Sequence, residues 1–252
     1  MLSEKPWRVE AVMIFCAALL FCWSSGILAI SVLHHTGIAG FKQPGDFGNV
    51  LVMTLCFQGM TWILIPIFLR MHQKRWQEAF GLHGLKFIPA LLMAVVAMIV
   101  ILPVALGLEG ASVFILEKIG WPVEDQVAVK LVADAGTLWM QVYLGVFTIV
   151  LAPVAEEFIF RGVLYPFVKQ LGFPRCAWFG VSALFAFIHF DAARFVPLFW
   201  LALALTWLYE KTDSLVAPIA AHSLFNSIGF IMVLFGEQLS QILKHLSQRL
   251  HM

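Results

Sequence analysis

The chain has 252 residues, 61% of them hydrophobic and 12% charged, with a formal net charge of +1. Soluble domains carry roughly 45–50% apolar and about 25% charged residues, so this much apolar surface exceeds what a core can hide and must face lipid. A soluble globular enzyme, a disordered chain and a disulfide-built secreted module are excluded, and a near-neutral charge gives no footprint for nucleic acid.

A helix needs about 20 apolar residues to cross the ~30 Å hydrocarbon layer. Ala11–Leu33, Gly48–Leu69 and Phe87–Leu108 qualify and contain no charge. The first exceeds the h-region of a signal peptide, and Glu4 and Glu10 interrupt a basic n-region, so it is expected to be a retained anchor. Leu138–Val168 is one long apolar stretch carrying Glu156, Glu157 and Arg161. Cys176–Phe190 and Phe195–Tyr209 are short spans on either side of Asp191 and Arg194, and Leu215–Phe235 closes the set. The expectation is an all-α, polytopic transmembrane helix bundle of about seven to eight spans. In Glu237–Met252, Leu239, Ile242, Leu243, Leu246 and Leu250 recur at helical spacing, which suits an amphipathic helix at the interface better than an eighth crossing. Ser112–Ile119 reads as a short interfacial helix. Cys16, Cys22, Cys56 and Cys176 form no CxxC and lie in apolar stretches, as small hydrophobes.

Loop charge sets the expected orientation. Arg70, Lys74, Arg75 and Lys86 face a single acid, Glu78, in one loop, whereas Glu109–Gly136 is acidic. The first loop reads as cytoplasmic and the second as external, which places the N-terminus with Lys5 and Arg8 in the cytoplasm; the compact size and absence of organelle targeting signals point to a bacterial inner membrane.

A charge at the centre of a membrane helix costs about 2.5–3.5 kcal/mol by insertion scales, so an embedded ionisable group needs a partner or a job. Glu157 and Arg161 are four residues apart and share a helix face, where they can pair. Glu156 points about 100° away on a 3.6-residue helix, without that counter-ion. Pro153, one turn earlier, removes a backbone hydrogen bond and can kink the helix. Phe185 and His189 are one turn apart, as are His222 and Asn226. Each pair alone fits a structural role in helix packing. Together, Glu156, His189, His222 and Asn226 lie on three spans that can converge on one wet cavity. A carboxylate and an imidazole can activate water, and an imidazole with a carboxamide can stabilise an oxyanion. Embedded Glu, His and Arg also suit a proton-coupled transporter, and a non-catalytic membrane scaffold or immunity protein is a further alternative.

These patterns, in this order, resemble the CPBP family of intramembrane proteases, the group that includes bacterial Abi-type proteins and the CAAX prenyl proteases. E-E-x-x-x-R is met by Glu156, Glu157 and Arg161, F-x-x-x-H by Phe185 and His189, and H-x-x-x-N by His222 and Asn226. The resemblance covers roughly Leu138–Phe235. It implies an endopeptidase acting on a membrane-associated or lipidated peptide, with a CAAX-type prenylated C-terminus as one candidate. It implies that Glu156 and His189 activate water, that His222 and Asn226 hold the oxyanion, and that Glu157, Arg161 and Phe185 support the site. No cofactor is favoured. The alternative is a divalent metal such as zinc on Glu156, His189 and His222, as in a metalloprotease.

The chain thus divides into N-terminal spans and an external loop (1–137), the catalytic membrane core (138–235) and an amphipathic C-terminal segment (236–252). Counted from the cytoplasmic side, Glu156 lies about a dozen residues deep, ~18 Å at 1.5 Å per residue. His222 lies about seven residues in, and His189 close to the external end. They meet only if helices are tilted, broken or staggered, and a cavity opening to the cytoplasm is expected.

Overall fold

A computed structural model describes the chain apart from residues 1, 4, 6, 39, 43–45, 83, 124–126, 134, 136, 251 and 252, and apart from the side chains of 84–86, 127, 128 and 237–250. Its elements are all helical among the described residues: α1 (Val9–His35), α2 (Phe47–Met71), α3 (Trp76–Phe80), α4 (Gly84–Lys118), α5 (Val127–Ala133), α6 (Leu138–Gln170), α7 (Pro174–Phe187), α8 (Ala192–Thr212) and α9 (Val216–Leu250). Among the described residues six helices are long and apolar enough to cross a membrane: α1, α2, α4 from Phe87, α6, α8, and α9 as far as Gly236. The expected seventh span is the 14-residue α7, only about 21 Å long at 1.5 Å per residue. It nevertheless joins the two ends of the bundle. Before it, Gln170 donates to the Trp7 carbonyl (2.6 Å), and after it Arg194 donates to Glu109 (3.0 Å).

Two expectations change. Ser112–Ile119 does not form a separate interfacial helix, because α4 runs unbroken from Gly84 to Lys118. The C-terminal segment likewise continues the last span as one 35-residue helix, about 52 Å long by its rise. Gly236 interrupts neither the backbone nor its hydrogen-bond ladder, since glycine weakens a helix interior without stopping it. The sides taken by Leu239 to Leu250 lie outside the described residues.

The two ends of the bundle are built differently. At the end holding the N-terminus, Trp7, Phe15, Phe68, Phe80, Phe158 and Tyr165 belong to one buried apolar cluster. Residues ahead of α1 strap across it: Ser3 and Lys5 bind Asp213, and Trp7 Nε1 donates to the Gly162 carbonyl at 3.0 Å. Phe80 accepts from the Leu215 amide (2.9 Å), tying α3 to the start of α9. At the opposite end, α5 sinks Leu131 and Val132 against Leu144, Phe230 and Val233.

Candidate active site

The site begins with a break in α6. Two of its stretches, Phe147–Leu151 and Phe158–Leu164, are π-helical, as is Leu55–Gly59 in α2. The wider turns frequently mark functional sites, and here each brackets or carries a residue of interest. Pro153 and Pro166 lie just after the two wide turns of α6. The expected disturbance at Pro153 is therefore present as a widened turn.

Glu157 and Arg161 are wholly buried, and they pair: Arg161 Nη1 donates to Glu157 Oε1 at 2.9 Å. Arg161 Nη2 donates to the Ala202 carbonyl of α8 at 2.9 Å, and the guanidinium lies 4.8 Å from the centre of the Phe185 ring of α7. The same Glu157 oxygen faces His222 Nδ1 of α9 at 2.9 Å. One ion pair thus binds four helices together. Buried charges persist only when paired and hydrogen-bonded; here that is met through Glu157 Oε1 and the two Arg161 Nη atoms, while Glu157 Oε2 and Arg161 Nε are buried without a hydrogen-bond partner.

A carboxylate oxygen only accepts, so His222 Nδ1 donates to Glu157, and the lone pair of the neutral ring falls on Nε2. Nε2 looks toward Glu156 Oε2 at 3.8 Å. His189 is fixed in the same sense. Its Nδ1 donates to the Phe185 carbonyl at 2.7 Å, again leaving Nε2 free of its own proton. His189 sits just past the end of α7 rather than on its face, and its ring still packs on Phe185 at 4.9 Å. Phe185 is fully buried between the His189 and His222 rings and Arg161. Asn226 Nδ2 donates to the Thr148 carbonyl at 2.9 Å.

Glu156, His189, His222 and Asn226 line one cavity of about 530 Å³, within the size range of small-molecule sites. Its other walls include Gln58, Phe147, Thr148, Val132, Glu109 and Arg194. The spacing arguments above did not identify Gln58 or the Arg194–Glu109 pair. Gln58 had a signal, being a carboxamide inside a span without charge, whereas the role of the Thr148 backbone carbonyl carries none.

These walls come from the second half of α4, from α5, from the first half of α6, from the start of α8 and, with Gln58, from the middle of α2. Most lie away from the end that holds the N-terminus, which aromatic packing fills. The broken α6 and the short α7 are the kind of irregularity that lets residues at different depths along their spans share one cavity.

Among the described residues no three His, Cys, Asp or Glu side chains, Glu156, His189 and His222 included, group closely enough to hold a metal ion.

Residues 138–228 match a family model described as type II CAAX prenyl endopeptidase Rce1-like. The chain is 23% identical over 233 residues to "Putative membrane peptidase YdiL" of Bacillus subtilis (strain 168), covering 89% of this chain and 88% of that protein. It is 33% identical over 86 residues to "UPF0177 protein YaiF" of Lactococcus lactis subsp. lactis (strain IL1403), covering 32% of this chain and 37% of the relative. No solved structure matches it significantly. The matches agree with the resemblance to the CPBP family and support a membrane protease.

Proposed function

We propose that this membrane protein, whose residues 138–228 match the Rce1-like endopeptidase family, is an intramembrane endopeptidase using glutamate-activated water. One observation carries the reading: Glu156 of α6, His189 just after α7, and His222 and Asn226 of α9 line a single cavity. In the proposed reaction Glu156, assisted by His189 Nε2, takes a proton from water as the water oxygen bonds to the scissile carbonyl carbon; when the tetrahedral adduct collapses, the C–N bond breaks and Glu156 passes that proton to the leaving amine. The oxyanion is held by the Asn226 carboxamide and by His222, whose Nε2 can donate only when the ring is an imidazolium. Glu157 anchors the opposite ring nitrogen, as an orienting carboxylate does beside a general acid or base. A Glu157 carboxylate already held by Arg161 and His222 is engaged twice, which leaves the proton chemistry to Glu156.

The proposed substrate is a membrane-associated peptide with a lipidated C-terminal tail as its leading form, and the protein's other partner is membrane lipid. Loop charge supports an N-terminus in the cytoplasm, and a bacterial inner membrane is the proposed location. On that orientation the cavity faces the external side, so an impermeant thiol reagent added outside should label a cysteine placed at Gly229, beside the cavity. Labelling only from the cytoplasmic side would reverse the orientation.

Comparison of protein termini in membranes carrying wild type or Glu156→Ala tests the activity itself. Products present with wild type and absent with the variant would support proteolysis and identify the substrate. Identical termini, with both proteins well expressed, would contradict it and turn attention to the transporter and scaffold alternatives.

A further inference from the structure

We propose that Pro153 is a positioning residue for Asn226: because it lacks an N–H, it leaves the Thr148 carbonyl to the Asn226 carboxamide and so fixes that amide against the cavity. Only the use made of Asn226 rests on the endopeptidase reading above.

Across Phe147–Leu151 the helix has widened, and the Ala152 N–H donates to the Phe147 carbonyl five residues back. The same register carried one residue further would send the N–H of residue 153 to the Thr148 carbonyl. Residue 153 is proline and has no N–H to send. A carbonyl left without a donor inside a membrane is costly, and side chains or neighbouring helices take over where a proline frees one. Asn226 Nδ2 does so from α9 at 2.9 Å. One of its two amide protons is thereby committed, and the carboxamide loses its free rotation. The second proton remains for an oxyanion, and its direction is set by the first.

A related case, in the four-residue register, occurs later in the same helix. Pro166 cannot donate to the Gly162 carbonyl four residues back, and Trp7 Nε1 takes that carbonyl at 3.0 Å. At Pro166 the donor comes from the N-terminal strap and the effect is structural. At Pro153 the donor is a cavity-lining side chain. Both prolines follow π turns, where carbonyls four and five residues back are splayed and within reach of another helix.

The test is a double-mutant cycle on the full-length detergent-purified protein, with Pro153→Ala, Asn226→Ala and the pair. Two readouts are followed, the melting temperature and cleavage of an internally quenched peptide with or without a farnesylated cysteine near its C-terminus. Alanine returns the N–H and releases Asn226, so Pro153→Ala should melt no lower than wild type while kcat falls about tenfold at unchanged KM. Adding it to Asn226→Ala should cost nothing more. The melting penalty of Asn226→Ala should shrink in the Pro153→Ala background. Wild-type kcat in Pro153→Ala, losses that multiply in the double variant, a lowered melting temperature in Pro153→Ala, or an equal Asn226→Ala penalty in both backgrounds would each overturn the proposal. A wild type that cleaves neither peptide while both melting predictions hold would instead count against the endopeptidase reading and leave the positioning intact.

Discussion

The two ends of this bundle use similar residues for opposite purposes, and the boundary between them falls inside a single dipeptide. On one side Glu157 is fully buried and bound by Arg161 and His222, within reach of the aromatic cluster under the N-terminal strap. On the other, Glu156 keeps 12% of its side chain exposed and lines a cavity with two imidazoles and a carboxamide. Successive residues on a helix point about 100° apart, so adjacent identical carboxylates can serve as girder and reagent. The packed end supplies the rigidity that a preorganised site needs, and the hollow end supplies room for a substrate.

The largest expected effect lies on the packed side. Arg161→Met would leave Glu157 buried without its cation, which for a broken buried pair costs about 3–5 kcal/mol. Thermal unfolding in detergent micelles should show a steep loss, and a melting temperature equal to wild type would mean that the four-helix hub is dispensable. A pair of glycines then probes packing directly. A Cβ at Gly162 would lie 2.8 Å from Phe80 Cε1 and 3.4 Å from Leu215 Cδ1, whereas at Gly229, on the cavity wall, it would meet nothing within 4 Å. Gly162→Ala should cost about 1–3 kcal/mol by overpacking, and Gly229→Ala should raise stability by about 0.5–1 kcal/mol through helix propensity. Shifts of the same sign in the two melting curves would erase the distinction between the ends.

The smallest effect concerns the strap. Burial pushes the Asp213 carboxyl up, but hydrogen bonds from the Ser3 hydroxyl and amide and the Lys5 ammonium outweigh it and hold the group below its ordinary value. A depressed carboxyl contributes stability above its unfolded value, near 3.9, and loses it as pH falls through the folded value. With Asp213 partly exposed the contribution is below about 1 kcal/mol. Asp213→Asn should flatten the acid limb of a stability–pH curve and leave neutral pH almost unchanged. An acid limb of undiminished slope would remove Asp213 from the account.

Much of the site was legible because lipid makes polarity conspicuous. In a chain with three charge-free spans, Glu156, Glu157, Arg161, His222 and Asn226 stand out by the cost of placing them there, and the four-residue spacings give their faces. The Glu157–Arg161 contact followed from that spacing alone. The full lining of the cavity did not follow from residue counts, because the π turns and the 14-residue α7 change the spacing of side chains along the chain. The Thr148 carbonyl was invisible because backbone has no sequence signature, although Pro153 hinted that some carbonyl nearby would need a donor. The continuous α4 and α9 were misread where composition turned polar: polarity changes what a helix faces before it changes whether the helix continues.

The division of labour between the two glutamates is most directly tested by purifying Glu156→Gln and Glu157→Gln side by side and measuring melting temperature and proteolytic products for each. The account predicts that Glu156→Gln melts like wild type and yields no product, while Glu157→Gln loses thermal stability by itself. A Glu156→Gln protein that still cleaves, or two variants equally destabilised, would contradict it.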